Sequence, residues 1–326
     1  MRSYHLAVEV GEVGGLALGQ MVATVFAPDA DALPTRPVLI FAVPGGGYSR
    51  GYFDMRFAGH EGYSQAEHHC GRGFVLVAVD HVGVGESSTE RNADIQFEHI
   101  AAGYDRCCRA VLARFREGEL DSAIAFEPAA VIGIGQSMGG CVSILTQAAH
   151  RTFDAIAVLG YSAIHTRLPQ RQAAQEQANL AVVDALSRGG TGHSPHNVRM
   201  QDYVYPFHWE DVPAEIRDAD MAGGYPQRRS CPPFGSATMP DCTVQMMIPG
   251  VVAAEAAAVT VPVFVGNGER DVCPDPHAEP GAYQASLDVT ITIVPCMAHM
   301  HNFASTRALL WDRLTAWYGT VAASLC

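Results

Sequence analysis

Residues 129–140 read AAVIGIGQSMGG. An apolar run enters a Gly-x-Ser-x-Gly turn, and a helical pattern over 138–150 leaves it. A chain that passes from a buried strand into a helix through one tight turn has few options. The turn needs residues without side chains where strand and helix crowd each other, which explains Gly135 and Gly139. It also forces its central residue into a strained backbone and lifts that side chain out of the sheet. Here the lifted residue is Ser137, and the N–H groups at the start of the following helix face any anion that forms beside it. This arrangement suits a serine nucleophile.

The surrounding pattern supplies a matching scaffold. Short apolar runs recur at 6–10, 21–27, 37–43 (PVLIFAV), 74–79 (FVLVAV), 129–134, 155–159, 261–265 and 289–294 (VTITIV). The first two read as a strand pair joined by a Gly-rich turn. Most of the others are continuous rather than alternating, as strands buried on both faces should be. Helical patterns lie between them at 63–72, 95–117, 138–150 and 305–323. Strands alternating with helices predict an α/β fold, a mostly parallel central sheet flanked by helices. From 165 to 258 the rhythm breaks. Residues 169–188 predict a helix, 189–197 a Gly/Ser/His/Pro loop, and 251–259 a small helix. We read 165–258 as a largely helical cap inserted before the penultimate strand, with 1–164 and 259–326 forming the core.

A serine hydroxyl needs a base, the base needs an orienting acid, and the oxyanion needs two N–H donors. After the last strand the chain reads Val294-Pro-Cys-Met-Ala-His299-Met-His301. His299 has the better spacing for the base, and His301 is its rival. After the penultimate strand, Val265-Gly-Asn-Gly-Glu-Arg-Asp271 offers Asp271, with Glu269 and Asp275 as neighbours. The loop after 155–159 holds no acid through His165. The order Ser137, Asp271, His299 is the order of nucleophile, acid and base expected in such a chain. Met138 follows the nucleophile and offers one oxyanion donor. Gly46 or Gly47, in Pro-Gly-Gly-Gly after the strand 37–43, offers the other.

With these landmarks in place the chain resembles the α/β-hydrolase family, over about 6–164 and 259–323. The run Asp80-His-Val-Gly-Val-Gly-Glu-Ser87 is similar to that family's D-x-x-G-x-G-x-S turn. Pro44 departs from the His that many members carry before the oxyanion glycines. The resemblance implies a serine esterase or lactonase, and a serine nucleophile sets aside the aspartate chemistry of epoxide hydrolases and haloalkane dehalogenases. The alternatives left open are C–C bond hydrolysis of a diketo acid and a non-catalytic ligand receptor of the same fold. In the cap, Tyr203, Tyr205, Phe207, Trp209, Met246 and Met247 are expected either to line an apolar substrate pocket or to form the cap's own core. The expected substrate is a bulky apolar or aromatic ester or lactone.

Composition narrows the rest. All 21 basic residues are arginine, so chemistries that need a Schiff-base or P-loop lysine are excluded. A formal net charge of −13 argues against nucleic acid and anionic membranes as partners. The nine cysteines lack a C-x-x-C pair, and the first 30 residues lack a signal pattern, which predicts a reduced, cytoplasmic protein. No cofactor and no metal are called for. A small-molecule substrate is the expected partner, and the reading leaves room for a homo-oligomer.

Overall fold

The computed structural model describes residues 1–121, 124–189, 202–225 and 228–325. The strands are β1 (Arg2–Glu9), β2 (Glu12–Val13), β3 (Leu16–Ala17), β4 (Gln20–Ala27), β5 (Val38–Val43), β6 (Val75–Asp80), β7 (Ala130–Gln136), β8 (Ala155–Leu159), β9 (Val263–Arg270) and β10 (Val289–Ala298). β2 and β3 form a small hairpin within the β1–β4 connection. The others make one sheet in the order β1-β4-β6-β5-β7-β8-β9-β10. β4 runs antiparallel to both of its neighbours, and every pairing from β6 to β10 is parallel.

The sheet is covered on both faces, which is why β5 and β8 are apolar throughout, β6 is apolar up to its terminal Asp80, and all three are buried at every position. The covering helices include α1 (Gln65–Cys70), α2 (Phe97–Glu117), α3 (Met138–His150) and the C-terminal helix Arg307–Ser324. Leu39, Phe41 and Val43 share a core with α2 and α3. Val38, Ile40 and Ala42 point the other way, to α1 and the C-terminal helix. The chain leaves β5 for β6 on one side and returns through α2 to β7 on the other. The strand order therefore reverses between β5 and β7, where a crevice opens at the carboxyl ends of both strands.

Three elements differ in extent from the sequence expectation. β1 starts at Arg2 because it is an edge strand whose side chains alternate in exposure, so its first half lacks an apolar run. β9 and β10 continue through polar residues to Arg270 and Ala298. Pairing with a neighbour, not side-chain hydrophobicity, orders those ends, with a bulge between Val294 and Ala298. The described part of the insertion between β8 and β9 holds no strand. Its helices are Ala173–Ser187, Val204–Phe207, Ala214–Met221 and Ala253–Ala258, with a 3-10 turn at Asp241–Met247. Beyond Gly189, the loop expected at 189–197 lies outside the described residues. The end of the insertion packs against the core: Cys242, Met246, Val252, Ala256 and Val259 lie in the same cluster as α3. Among the described residues, no helix is long and apolar enough to cross a membrane.

The turn after β6 is a polar lock. Asp80, fully buried, accepts the Arg50 N–H (2.6 Å), the Glu86 N–H (3.0 Å) and the Arg50 guanidinium. Ser87 donates its hydroxyl to the Asp80 carbonyl (2.6 Å) and accepts the Val22 N–H (2.9 Å). Burial pushes the Asp80 carboxyl up while Arg50 opposes the shift. Removing one partner of such a pair strands the other charge, at a cost of about 3–5 kcal/mol. Asp80→Ala should lose about that much stability in urea titrations. A loss below about 1 kcal/mol would show that the pair behaves like an exposed one.

Candidate active site

β7 delivers Ser137 into the crevice. Its N–H is tied to the Leu159 carbonyl of β8 (2.7 Å), and its backbone sits at φ 54°, ψ −119°, a strained region for a residue with a side chain. The neighbouring glycines make this possible. A Cβ on Gly135 would strike the Gly139 carbonyl, and one on Gly139 would strike the Val43 carbonyl of β5. α3 starts at once, with Gly140 N–H on the Ser137 carbonyl (2.8 Å). Among the described residues the Met138 N–H has no protein acceptor.

β9 and β10 bring up the other two groups. His299 Nε2 lies 2.9 Å from Ser137 Oγ, and its Nδ1 lies 2.7 Å from Asp271 Oδ1. An ionised carboxylate only accepts, so Nδ1 carries the proton and Nε2 presents its lone pair to the serine hydroxyl. Asp271 also accepts backbone N–H groups of Val272 (2.7 Å) and Gly268 (2.8 Å). His301 is not beside the serine. Its Nε2 donates to the other oxygen of Asp271 (2.6 Å), while its buried Nδ1 has no partner among the described residues. Burial pushes the Asp271 carboxyl up, but His301 and His299 outweigh it by charge and hydrogen bonding and hold it well below the usual range. Gln136 donates to the His299 carbonyl (2.9 Å), and the His299 N–H is held by the Pro206 carbonyl of the insertion (2.9 Å).

The glycine loop after β5 faces this group. The Gly45 carbonyl accepts the Tyr48 N–H (3.2 Å). The Gly46 carbonyl accepts the Tyr225 hydroxyl (2.8 Å). The Gly47 carbonyl accepts the Ser236 N–H (3.0 Å) and Arg228 Nε (2.9 Å). The N–H groups of Gly46 and Gly47 donate to no acceptor among the described residues. A Cβ built on Gly46 would lie 3.5 Å from the Met239 sulfur and 4.0 Å from that of Met138, so the loop and the start of α3 enclose one space.

Solved structures share this whole architecture. A proline iminopeptidase from Mycobacterium smegmatis superposes with a TM-score of 0.63 at 16% identity, over 99% of this chain and 100% of that one. An esterase from Thermogutta terrifontis gives 0.61 at 16%, over 98% and 99%. A haloalkane dehalogenase variant from Bradyrhizobium elkanii gives 0.60 at 14%, over 99% and 98%. The chain has the α/β-hydrolase fold. No protein-family model and no curated protein sequence matches it. An α/β-hydrolase fold at such low identity leaves the reaction to be argued from the site itself.

The expected lining residues scatter. Phe207 packs on His299, ring centroids 5.3 Å apart, and Tyr203 stacks behind it against Tyr225 (5.0 Å). Tyr205 and Trp209 go elsewhere. Both stack on the Arg270 guanidinium (4.0 and 4.5 Å) and line a cleft of about 280 Å³. Arg270 is the last residue of β9, one before Asp271, and its guanidinium donates to Glu210 (2.7 Å) and the His208 carbonyl (2.7 Å). Met246 is buried in the α3 core with its carbonyl on the Tyr161 hydroxyl (3.1 Å), and Met247 is half-buried at the end of the same turn. Sequence reasoning missed Tyr225, Arg228, Met239 and Gln136. Tyr225, Arg228 and Met239 belong to no motif and reach the site from distant segments, whereas Gln136 lies inside the Gly-x-Ser-x-Gly turn itself, one residue before Ser137.

A carboxyl whose folded value is depressed adds stability that is full above the ordinary aspartate range, about 3.9, and is lost as pH falls below it. Asp271→Asn should therefore be less stable than wild type at pH 7 and 5, and the margin should narrow at pH 3. Urea midpoints at the three pH values test this.

Proposed function

We propose that the chain is a serine hydrolase of uncharged carboxylic esters or lactones. One observation carries the reading: His299 bridges the Ser137 hydroxyl and a buried, ionised Asp271 within hydrogen-bond reach of both. In this reading His299 Nε2 takes the hydroxyl proton as Ser137 Oγ attacks the carbonyl carbon. The oxyanion is met by the Met138 N–H and by a glycine-loop N–H of Gly46 or Gly47. The imidazolium, stabilised by Asp271, returns its proton to the leaving alcohol. Water then repeats the sequence on the acyl-enzyme. His301 keeps the carboxylate in place from its far side.

The surroundings favour an apolar substrate. Met138, Met239 and Phe207 border the space between nucleophile and loop. A diketo acid would ask for a free cation near the serine, whereas Arg228 on the glycine loop is committed to Asp220 and to the Gly47 carbonyl. A ligand receptor would have no need of an aligned proton relay.

Ser137→Ala should lower kcat by about 10⁴-fold or more on p-nitrophenyl butyrate with the fold intact, and a fluorophosphonate should label Ser137 alone. Labelling of another serine would overturn the assignment. Met239→Ala should shift the preference between acetate and octanoate esters by about 10-fold, read as a ratio of kcat/KM values. Trp209→Ala should leave that ratio unchanged.

A further inference from the structure

A second buried constellation lies outside the proton relay and runs from the insertion into the glycine loop. Asp220, at the end of the helix Ala214–Met221, is fully buried. One of its oxygens accepts the Tyr48 hydroxyl (2.7 Å) and His208 Nε2 (2.9 Å), and the other accepts Arg228 Nη2 (2.8 Å). Arg228, its side chain equally buried, gives Nη1 to the Asp220 carbonyl and Nε to the Gly47 carbonyl (2.9 Å). Its guanidinium lies 5.0 Å from the Tyr48 ring centre and 5.4 Å from that of Tyr225. Tyr225 donates its hydroxyl to the Gly46 carbonyl (2.8 Å).

In a planar trans peptide the carbonyl and the next N–H point in opposite directions. Holding the Gly46 carbonyl therefore aims the Gly47 N–H. Holding the Gly47 carbonyl aims the Tyr48 N–H, which closes the turn onto Gly45. Three successive glycines have no side chains to choose this conformation, and Gly47 sits at φ +79°, so the loop's own entropy works against it.

We infer that Tyr225 and the Arg228–Asp220 pair are positioning residues, through which the insertion grips the carbonyl side of the glycine loop and presents its N–H side to the oxyanion. The inference rests on Ser137 acting as the nucleophile. It gives the insertion a part in the chemical step in addition to covering the site. A donor held in place beforehand needs no reorganisation as charge develops, and loss of a whole oxyanion donor costs about 10²–10³-fold in kcat. A loosened donor should cost part of that.

The test compares Tyr225→Phe, the double variant Arg228→Met/Asp220→Asn, and Ser137→Ala. Each is assayed for kcat and KM on p-nitrophenyl butyrate, for inhibition by an alkyl trifluoromethyl ketone, whose serine adduct carries an oxyanion, and for melting temperature. Tyr225→Phe should lower kcat about 10-fold with little change in KM. Its inhibition constant for the ketone should weaken by the factor lost in kcat/KM, and its melting temperature should stay near wild type. The double variant should lose more on the same line. If the double variant does not fold, Tyr225→Phe decides alone. Wild-type kcat in folded variants, or a fall in kcat with unchanged ketone affinity, overturns the inference while an inactive Ser137→Ala leaves the hydrolase reading standing. Undiminished hydrolysis by Ser137→Ala would overturn both.

Discussion

At Gly135 and Gly139 strand β7, helix α3 and the end of β5 meet backbone against backbone, with no room for a methyl group between them. Much else follows from that contact. It fixes the strained Ser137 peptide, and it presses the first turn of α3 against the point where β5 gives way to the glycine loop. β5 and β7 are paired from Val38↔Ala130 to Val43↔Gly135, so Ser137 and the glycine loop share one rigid frame. A larger residue at either glycine would part helix from strand and widen the gap between Ser137 and the glycine loop.

The loop itself is bracketed by two Arg–Asp pairs. Arg50 and Asp80 hold its exit to the core, and Arg228 and Asp220 hold its middle to the insertion. Buried pairs are poor sources of net stability, because desolvation offsets most of their attraction. Here each guanidinium does what a point charge could not. Arg228 sends three N–H groups to three separate acceptors in one plane, which is the geometry that distinguishes arginine from lysine. In a protein whose 21 bases are all arginine, buried charge serves to aim peptides.

The sheet was legible in the sequence because burial on both faces demands continuous apolar runs, and β5, β6 and β8 carry them. The ends of β9 and β10 were not, since hydrogen bonding to a neighbour orders polar residues as well as apolar ones. Ser137, Asp271 and His299 could be located because each stands just past a strand, at a place the topology turns towards the crevice. His301 shows the limit. Spacing made it a rival base, whereas the structure gives it the far oxygen of the same carboxylate. The aromatic run 203–209 announced burial without saying where. Phe207 found His299, but Tyr205 and Trp209 were captured by Arg270, a cation whose position only the folded sheet defines. Tyr225 and Arg228 meet backbone carbonyls far away in sequence and Asp220 accepts the distant Tyr48 hydroxyl, and no local pattern records such meetings.

The three groups of the relay do not share one neighbourhood of the sheet. Ser137 leaves a strand enclosed between β5 and β8, while His299 leaves β10, the outermost strand. Outer strands open more readily than central ones, so the two ends of the Ser137–His299 hydrogen bond differ in how often thermal motion releases them. The insertion tempers this by laying the carbonyls of Pro206 and Phe207 against the N–H groups of His299 and Met300 (2.9 and 3.1 Å), a short splice along the exposed border. On warming, Ser137 would hold its place longer than His299. Amide hydrogen exchange would then begin at the β10 margin, and in the hydrolase reading proposed above turnover would fade before the central strands gave any sign of melting.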